Sequence, residues 1–100
     1  MAVYSAAKAG VLGFIRGLAV DLRGSGVTAN AVSPGSTSTD MLVESARLYH
    51  LESPDEFSMH QVIERLLDPS EVASMIAWLA SPESSGVTGA EVRVDGGLTL

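Results

Sequence analysis

The chain has 100 residues, of which 46% are hydrophobic and 18% charged, and it contains no cysteine. This composition predicts one globular domain and excludes a disordered chain, disulfide bonds and thiolate metal sites. The net charge of −6 comes without any basic run, which argues against nucleic acid as a partner. No apolar stretch approaches the roughly 20 residues of a membrane helix, so we expect a cytoplasmic protein with no membrane partner.

The first predicted element is a helix from Ser5 to Leu22. Apolar residues recur there at helical spacing, and "RGSG" ends the pattern. One face of this helix carries only small residues: Ala6, Gly10, Gly13 and Gly17. Each interior glycine costs about 1 kcal/mol relative to alanine, so we expect a close neighbour packed against this face.

Two strands are predicted, with a loop after the first. The run from Val27 to Ser33 contains β-branched residues and lies between glycines, which favours a buried strand. "SPGSTSTD", from Ser33 to Asp40, predicts a loop whose hydroxyl groups can bind backbone or ligand. The alternating "EVRVD", from Glu91 to Asp95, predicts the second strand.

Further helices are predicted between these strands. One spans Met41 to Tyr49, and a second opens at "SPDE", where Ser53 would cap and Glu56 would complete a capping box. The third opens at "DPSE", where Asp68 caps and Glu71 reaches back, and it ends near Ser81-Pro82. Its apolar stripe consists of Val72, Met75, Ile76, Leu79 and Ala80.

Strands separated by helices are typical of an α/β fold with a parallel sheet. Only two strands are predicted, so the sheet is expected to be incomplete.

Tyr4 and Lys8 are four residues apart on the first predicted helix, so their side chains share one face. An ammonium group beside a tyrosine favours the phenolate form, and such a pair can move a proton on or off an oxygen atom. A match to Y-x-x-x-K also arises by chance on ordinary helices.

Four segments occur in the order found in the C-terminal part of a short-chain dehydrogenase/reductase: "YSAAK", "AGVLGFIRGLAVDL", "GVTANAVSPGSTSTDM" and "DPSEVASMIAWLASPESSGVTGAEVRVDGG". The chain resembles this family over nearly its whole length. The resemblance implies the C-terminal portion of a Rossmann-like doubly wound parallel sheet. Residues 1–100 would form a partial NAD(P)-binding domain whose first half is absent, with 40–67 as a substrate lid.

The resemblance also implies roles for individual residues. Tyr4 would be the catalytic acid/base, and Lys8 would help it to ionise and would hydrogen-bond the nicotinamide ribose. In the loop, Pro34 and Gly35 would lie beside the nicotinamide ring of NAD or NADP. The backbone of Thr37 and the hydroxyl of Thr39 would hold its carboxamide.

Within the lid, Met41, Tyr49 and Phe57 are candidates for contact with a small-molecule alcohol or carbonyl substrate, although such side chains also serve in ordinary packing. No metal site is expected, because no third ligand accompanies His50 and His60 at zinc-like spacing.

Two interpretations of function stay open. In the first, the chain is a fragment of an NAD(P)-dependent oxidoreductase that interconverts an alcohol and a carbonyl, is inactive alone and belongs to a homodimer or homotetramer at full length. In the second, it is a non-catalytic truncated remnant that at most associates with full-length subunits. The segment "GSGVTANAVSPGSTSTDM" is similar to 2,3-dihydro-2,3-dihydroxybenzoate dehydrogenases, whereas "HQVIERLLDPSEVASMIAWLASP" is similar to mycofactocin-associated members of the family. Because the two resemblances differ, no substrate is assigned.

Overall fold

The computed structural model describes residues 1–50 and 53–100, so Leu51 and Glu52 of the predicted lid lie outside the described residues. The described elements are, in chain order, α1 (Ala2–Asp21), β1 (Ala31–Pro34), α2 (Asp40–Leu48), a 3₁₀ helix (Pro54–His60), α3 (Pro69–Leu79), a short 3₁₀ helix (Pro82–Ser84) and β2 (Glu91–Val94). The two strands pair in parallel. This confirms the predicted α/β class and the two-stranded, incomplete sheet.

The chain divides into two compact units. The first consists of Met1–Val32 and Ala77–Val92, and the second of Ser33–Ile76 and Arg93–Leu100. In the first unit Ala29 is buried, whereas in the second Ala46 and Leu67 form the buried apolar centre. The second unit holds the whole predicted loop after β1.

Helix α1 begins three residues earlier than predicted and has no buried residue. With 20 residues and a mean hydropathy of 1.3 over its most apolar window, it is long and apolar enough to cross a membrane. The expectation that no stretch approaches a membrane helix was therefore wrong. The mean hydropathy stays high because alanine, valine and leucine surround Lys8 and Arg16, although these charged residues interrupt the apolar run. The core helix of a soluble protein and a signal sequence near the N-terminus pass the same test of length and composition.

The small face of α1 has no close neighbour among the residues that the structure describes. A Cβ atom added at Gly10, Gly13 or Gly17 would meet nothing within 4 Å. The expectation of a neighbour packed against this face is thus not met within the described ranges of the chain.

Strand β1 begins at Ala31, later than the predicted Val27. Just before the strand, side chains take part in the pairing alongside a backbone hydrogen bond from the Gly89 N–H to the Ala29 carbonyl at 2.7 Å. The Ala29 N–H donates to the Thr88 hydroxyl at 3.2 Å, and the Asn30 amide both donates to the Val87 carbonyl and accepts from the Ala90 N–H. These contacts are far apart in sequence, so local pattern could not reveal them.

Helices α2 and α3 are confirmed, but "SPDE" opens a 3₁₀ helix instead of an α-helix. The Glu56 N–H donates to the Ser53 carbonyl, a three-residue spacing that belongs to the tighter helix. At α3 the predicted capping box is present. The Ser70 N–H donates to the Asp68 carboxylate at 2.9 Å, and the Asp68 N–H donates to the Glu71 carboxylate at 2.8 Å.

The predicted apolar stripe of α3 is only partly buried. Val72, Met75 and Leu79 are half-buried, whereas Ile76 and Ala80 are exposed. Val72, Met75 and Leu79, which are three and four residues apart, therefore pack within the chain, whereas the adjacent Ile76 and Ala80 do not.

Candidate active site

Tyr4 and Lys8 lie together on the first two turns of α1. The Lys8 ammonium lies over the Tyr4 ring, 5.6 Å from its centroid. Both side chains are exposed, with Tyr4 61% accessible. The helical spacing thus brings a proton-bearing oxygen and a cation to one accessible surface of the first unit.

Gly35 follows β1, whose last residue, Pro34, is exposed. The Gly35 N–H donates to the Val94 carbonyl at 2.9 Å. A Cβ atom at Gly35 would lie 2.7 Å from both the Cα and the carbonyl oxygen of Asp95. The packing of the chain against Asp95 therefore requires glycine at this position. The sequence analysis explained this glycine only by the approach of a cofactor and missed the contact with Asp95.

Thr37 forms an isolated parallel bridge with Leu67. The Leu67 N–H donates to the Ser36 carbonyl and the Ser38 N–H donates to the Leu67 carbonyl, both at 2.9 Å. Because these bonds run through the residues on either side of Thr37, its own N–H and carbonyl point away from Leu67. The Thr37 hydroxyl turns back and donates to the Gly35 carbonyl at 3.0 Å.

The outward N–H and carbonyl of Thr37 form a donor and an acceptor side by side. A carboxamide carries the complementary pair, an oxygen acceptor and N–H donors. The backbone at this position therefore fits the nicotinamide carboxamide that the family resemblance assigns to it.

Thr39 has a structural role that sequence reasoning missed. Its hydroxyl caps α2 by accepting a hydrogen bond from the Leu42 N–H at 3.2 Å. A hydroxyl that accepts one hydrogen bond still has its own proton to donate. Thr39 can therefore fix the start of α2 and donate to a ligand at the same time.

The three lid candidates lie in the second unit but differ in burial. Met41 is 80% exposed and Tyr49 is 65% exposed, whereas Phe57 is half-buried. Phe57 belongs to the 3₁₀ helix, which contacts α2. In the part of the chain that the structure describes, there is no cluster of three or more metal-ligating side chains.

Gln61 is a residue of this loop region that sequence reasoning did not select. Its side chain is 2% exposed, accepts from the Ser36 N–H at 2.6 Å and donates to the Arg65 carbonyl at 2.5 Å. Both hydrogen bonds join the Gln61 side chain to backbone groups, and Ser36 is 25 residues away along the chain. A glutamine in a weakly patterned stretch gave no local signal.

Arg65 and Glu71 form a bidentate ion pair, with both N···O distances at 2.8 Å. The guanidinium group lowers the pKa of Glu71 to about 2, and the hydrogen bond from the Asp68 N–H adds to this effect. The pair ties the segment that follows Gln61 to the first turn of α3.

The comparison with known proteins identifies the family. Residues 1–99 match the family model described as enoyl-(acyl carrier protein) reductase. The chain is 41% identical over 97 residues to 3-oxoacyl-(acyl-carrier-protein) reductase FabG of Vibrio cholerae, covering 97% of this chain and 38% of that protein. It is 42% identical to acetoacetyl-CoA reductase of Cupriavidus necator over the same shares of the two chains. The chain thus spans about 38% of the length of these relatives.

Solved structures show the same likeness. The actinorhodin polyketide ketoreductase with NADPH matches with a TM-score of 0.89 and 38% identity, over 97% of this chain and 40% of that one. The aldohexose dehydrogenase of Thermoplasma acidophilum matches with a TM-score of 0.90 and 32% identity, over 98% of this chain and 41% of that one. Together with the match over residues 1–99, these likenesses show that the chain belongs to the short-chain dehydrogenase/reductase family.

Proposed function

We propose that the chain supplies the proton-transfer helix and the nicotinamide-side loop of an NAD(P)-dependent oxidoreductase that interconverts an alcohol and a carbonyl. The observation that carries the proposal is the Lys8 ammonium over the exposed Tyr4 ring, 5.6 Å from its centroid. When bound, the nicotinamide cofactor supplies or accepts the hydride. The catalytic residues of the chain itself are Tyr4 and Lys8.

In the reducing direction Tyr4 donates its hydroxyl proton to the substrate oxygen, and in the oxidising direction it takes the proton back. The Lys8 ammonium stabilises the negative charge that the Tyr4 oxygen carries after donation. Lys8 would also hold the nicotinamide ribose through its N–H donors.

The loop after β1 orients the cofactor. The outward N–H and carbonyl of Thr37 would bind the carboxamide, and the Thr39 hydroxyl would donate a further hydrogen bond. Pro34 and Gly35 would lie beside the nicotinamide ring. Residues 40–67 form the substrate lid, in which Met41, Tyr49 and Phe57 contact the substrate.

The relatives suggest which substrates to test. Two of them are named as reductases of a 3-oxoacyl group on acyl carrier protein and of acetoacetyl-CoA, so 3-oxoacyl thioesters come first. One solved neighbour contains NADPH, which supports NAD(P) as the cofactor class. We propose a cytoplasmic location, and a homodimer or homotetramer for the complete enzyme.

Because the chain spans 38% of these relatives, we propose that it is inactive alone and should be tested in a complete framework. In a chimaera, this chain replaces the matching segment of the Vibrio cholerae reductase, and NADPH oxidation is followed with acetoacetyl-CoA. Turnover by the chimaera, together with none by the reductase lacking that segment, is expected. A folded chimaera that binds neither NADPH nor NADH would contradict the proposal.

A second candidate function is non-catalytic association with a full-length subunit. The exposed apolar surface of α1 favours it, since Val3, Phe14 and Val20 are 84%, 68% and 71% accessible. Under this alternative the isolated chain binds neither cofactor but forms a complex with an intact family member. Titration of the isolated chain with NADH and NADPH tests this alternative, because tight binding of either cofactor would contradict it, and analytical ultracentrifugation follows complex formation with the intact family member.

A further inference from the structure

We propose that Gln61 is a positioning residue for the carboxamide-binding backbone of Thr37. The inference rests on the proposed function, because it assigns Gln61 a task at the same nicotinamide-side loop. All the residues involved belong to the second unit.

Gln61 clamps the loop through both ends of its amide. Its Oε1 accepts from the Ser36 N–H at 2.6 Å, and its Nε2 donates to the Arg65 carbonyl at 2.5 Å. The donor at Ser36 and the acceptor at Arg65 fix which end of the amide is oxygen. At 2% exposure, Gln61 makes these bonds where water cannot replace them.

The backbone beside Gln61 is itself held against the turn after β2. The Ile63 N–H donates to the Gly96 carbonyl at 3.1 Å. A Cβ atom at Gly96 would lie 2.7 Å from Ile63, and one at Gly97 would lie 2.7 Å from Val62. This close packing leaves the Gln61 side chain little freedom to follow a moving loop.

The clamp acts on the residue that precedes Thr37. The Ser36 N–H is bound to Gln61, and the Ser36 carbonyl accepts from the Leu67 N–H at 2.9 Å. The Ser36 N–H belongs to the Gly35–Ser36 peptide, which Gln61 holds, and the Ser36 carbonyl belongs to the Ser36–Thr37 peptide, which Leu67 holds. With the peptides on both sides of Ser36 held, the backbone dihedral angles of Ser36 are fixed. Gln61 therefore acts together with Leu67 to set the direction of the Thr37 N–H, which the proposed function aims at the carboxamide.

The test uses Gln61→Met, which keeps the length of the side chain and removes both hydrogen bonds. Its matched control is Ser84→Ala in the first unit. Ser84 is also 2% exposed, and its hydroxyl contacts the Leu79 and Ser81 carbonyls at 2.8 and 3.0 Å. The two variants each remove the hydrogen bonds of a buried polar side chain, but only one lies at the loop.

The first measurement is amide hydrogen exchange in the 100-residue chain. Gln61→Met is expected to speed exchange at the Ser36 amide by roughly tenfold relative to wild type, whereas Ser84→Ala leaves it unchanged. Unchanged exchange at Ser36 in Gln61→Met overturns the proposal.

The second measurement is ligand binding by the chimaera, with NADPH and with 2′-phospho-ADP-ribose, which lacks the nicotinamide. Gln61→Met is expected to raise the Kd for NADPH about tenfold and to leave the Kd for 2′-phospho-ADP-ribose unchanged. Ser84→Ala is expected to change neither Kd. Equal effects of Gln61→Met on the two ligands, or no effect on either, overturn the positioning role.

The same measurements distinguish failure of this proposal from failure of the proposed function. In that case the wild-type chimaera itself binds neither ligand, and the exchange rate at Ser36 still decides whether Gln61 holds the loop.

Discussion

Gly35 and Gly10 differ in the space available for a side chain. A Cβ atom at Gly35 would lie 2.7 Å from backbone atoms of Asp95, whereas one at Gly10 would meet nothing within 4 Å among the described residues. The sequence distinguishes a turn from a helix interior at these positions, yet it does not show that Asp95 approaches Gly35. That information lies in a contact between residues far apart along the chain.

Gly35→Ala is expected to destabilise the chain by about 1–3 kcal/mol, because backbone atoms of Asp95 must shift to admit the methyl group. Gly10→Ala is the matched control and is expected to stabilise α1 by about 1 kcal/mol, since alanine is the better helix former. Urea unfolding of both variants measures the difference. Equal stabilities would contradict the close approach at Gly35.

The Arg65–Glu71 pair predicts a pH dependence of stability. The pKa of Glu71 falls from 4.5 to about 2 in the folded chain, so ionised Glu71 stabilises the fold above about pH 4.5. That contribution is lost as the pH falls from 4.5 towards 2.

Thermal midpoints of wild type and Glu71→Gln, measured across this interval, check the prediction. The two midpoints should converge on acidification, and high salt should weaken the effect because both side chains are exposed. Glu83→Gln, at an exposed carboxylate outside this cluster, is the control. A constant difference between wild type and Glu71→Gln at every pH would refute the assignment.

At the scale of elements, sequence signals worked where the contacts are local. "DPSE" predicts the cap of α3 because Asp68, Ser70 and Glu71 are neighbours on one turn. The same reasoning placed an α-helix at "SPDE", where the chain forms a 3₁₀ helix. The start of β1 was also missed, because the Asn30 amide bonds to residues 57 and 60 positions away.

Helix α2 offers an element-scale test at its cap. Thr39→Ala removes the acceptor of the Leu42 N–H and is expected to destabilise α2 by about 1 kcal/mol. Thr39→Ser retains the hydroxyl and should preserve most of this stability. Amide exchange along Asp40–Leu48 measures the effect, and equal exchange in the two variants would show that the hydroxyl does not cap the helix.

At the scale of the whole molecule, the sequence predicted the family, the α/β class and the incomplete sheet. The Tyr4–Lys8 pair was predictable because helical spacing alone brings the two residues together. Gln61 was not, because its bond to Ser36 spans 25 residues of weakly patterned sequence. No residue of helix α1 is buried in this chain. The chain spans about 38% of the length of its relative from Vibrio cholerae.

The most direct test of the proposed function is the turnover of Tyr4→Phe in the chimaera, at saturating NADPH and acetoacetyl-CoA. Loss of the hydroxyl removes the proton transfer, so kcat should fall by about 10²- to 10⁴-fold while the Kd for NADPH stays nearly the same. Ser5→Ala, which removes the neighbouring hydroxyl of the same exposed helix, should retain wild-type turnover. Wild-type kcat in Tyr4→Phe would contradict the role of Tyr4 as the catalytic acid/base.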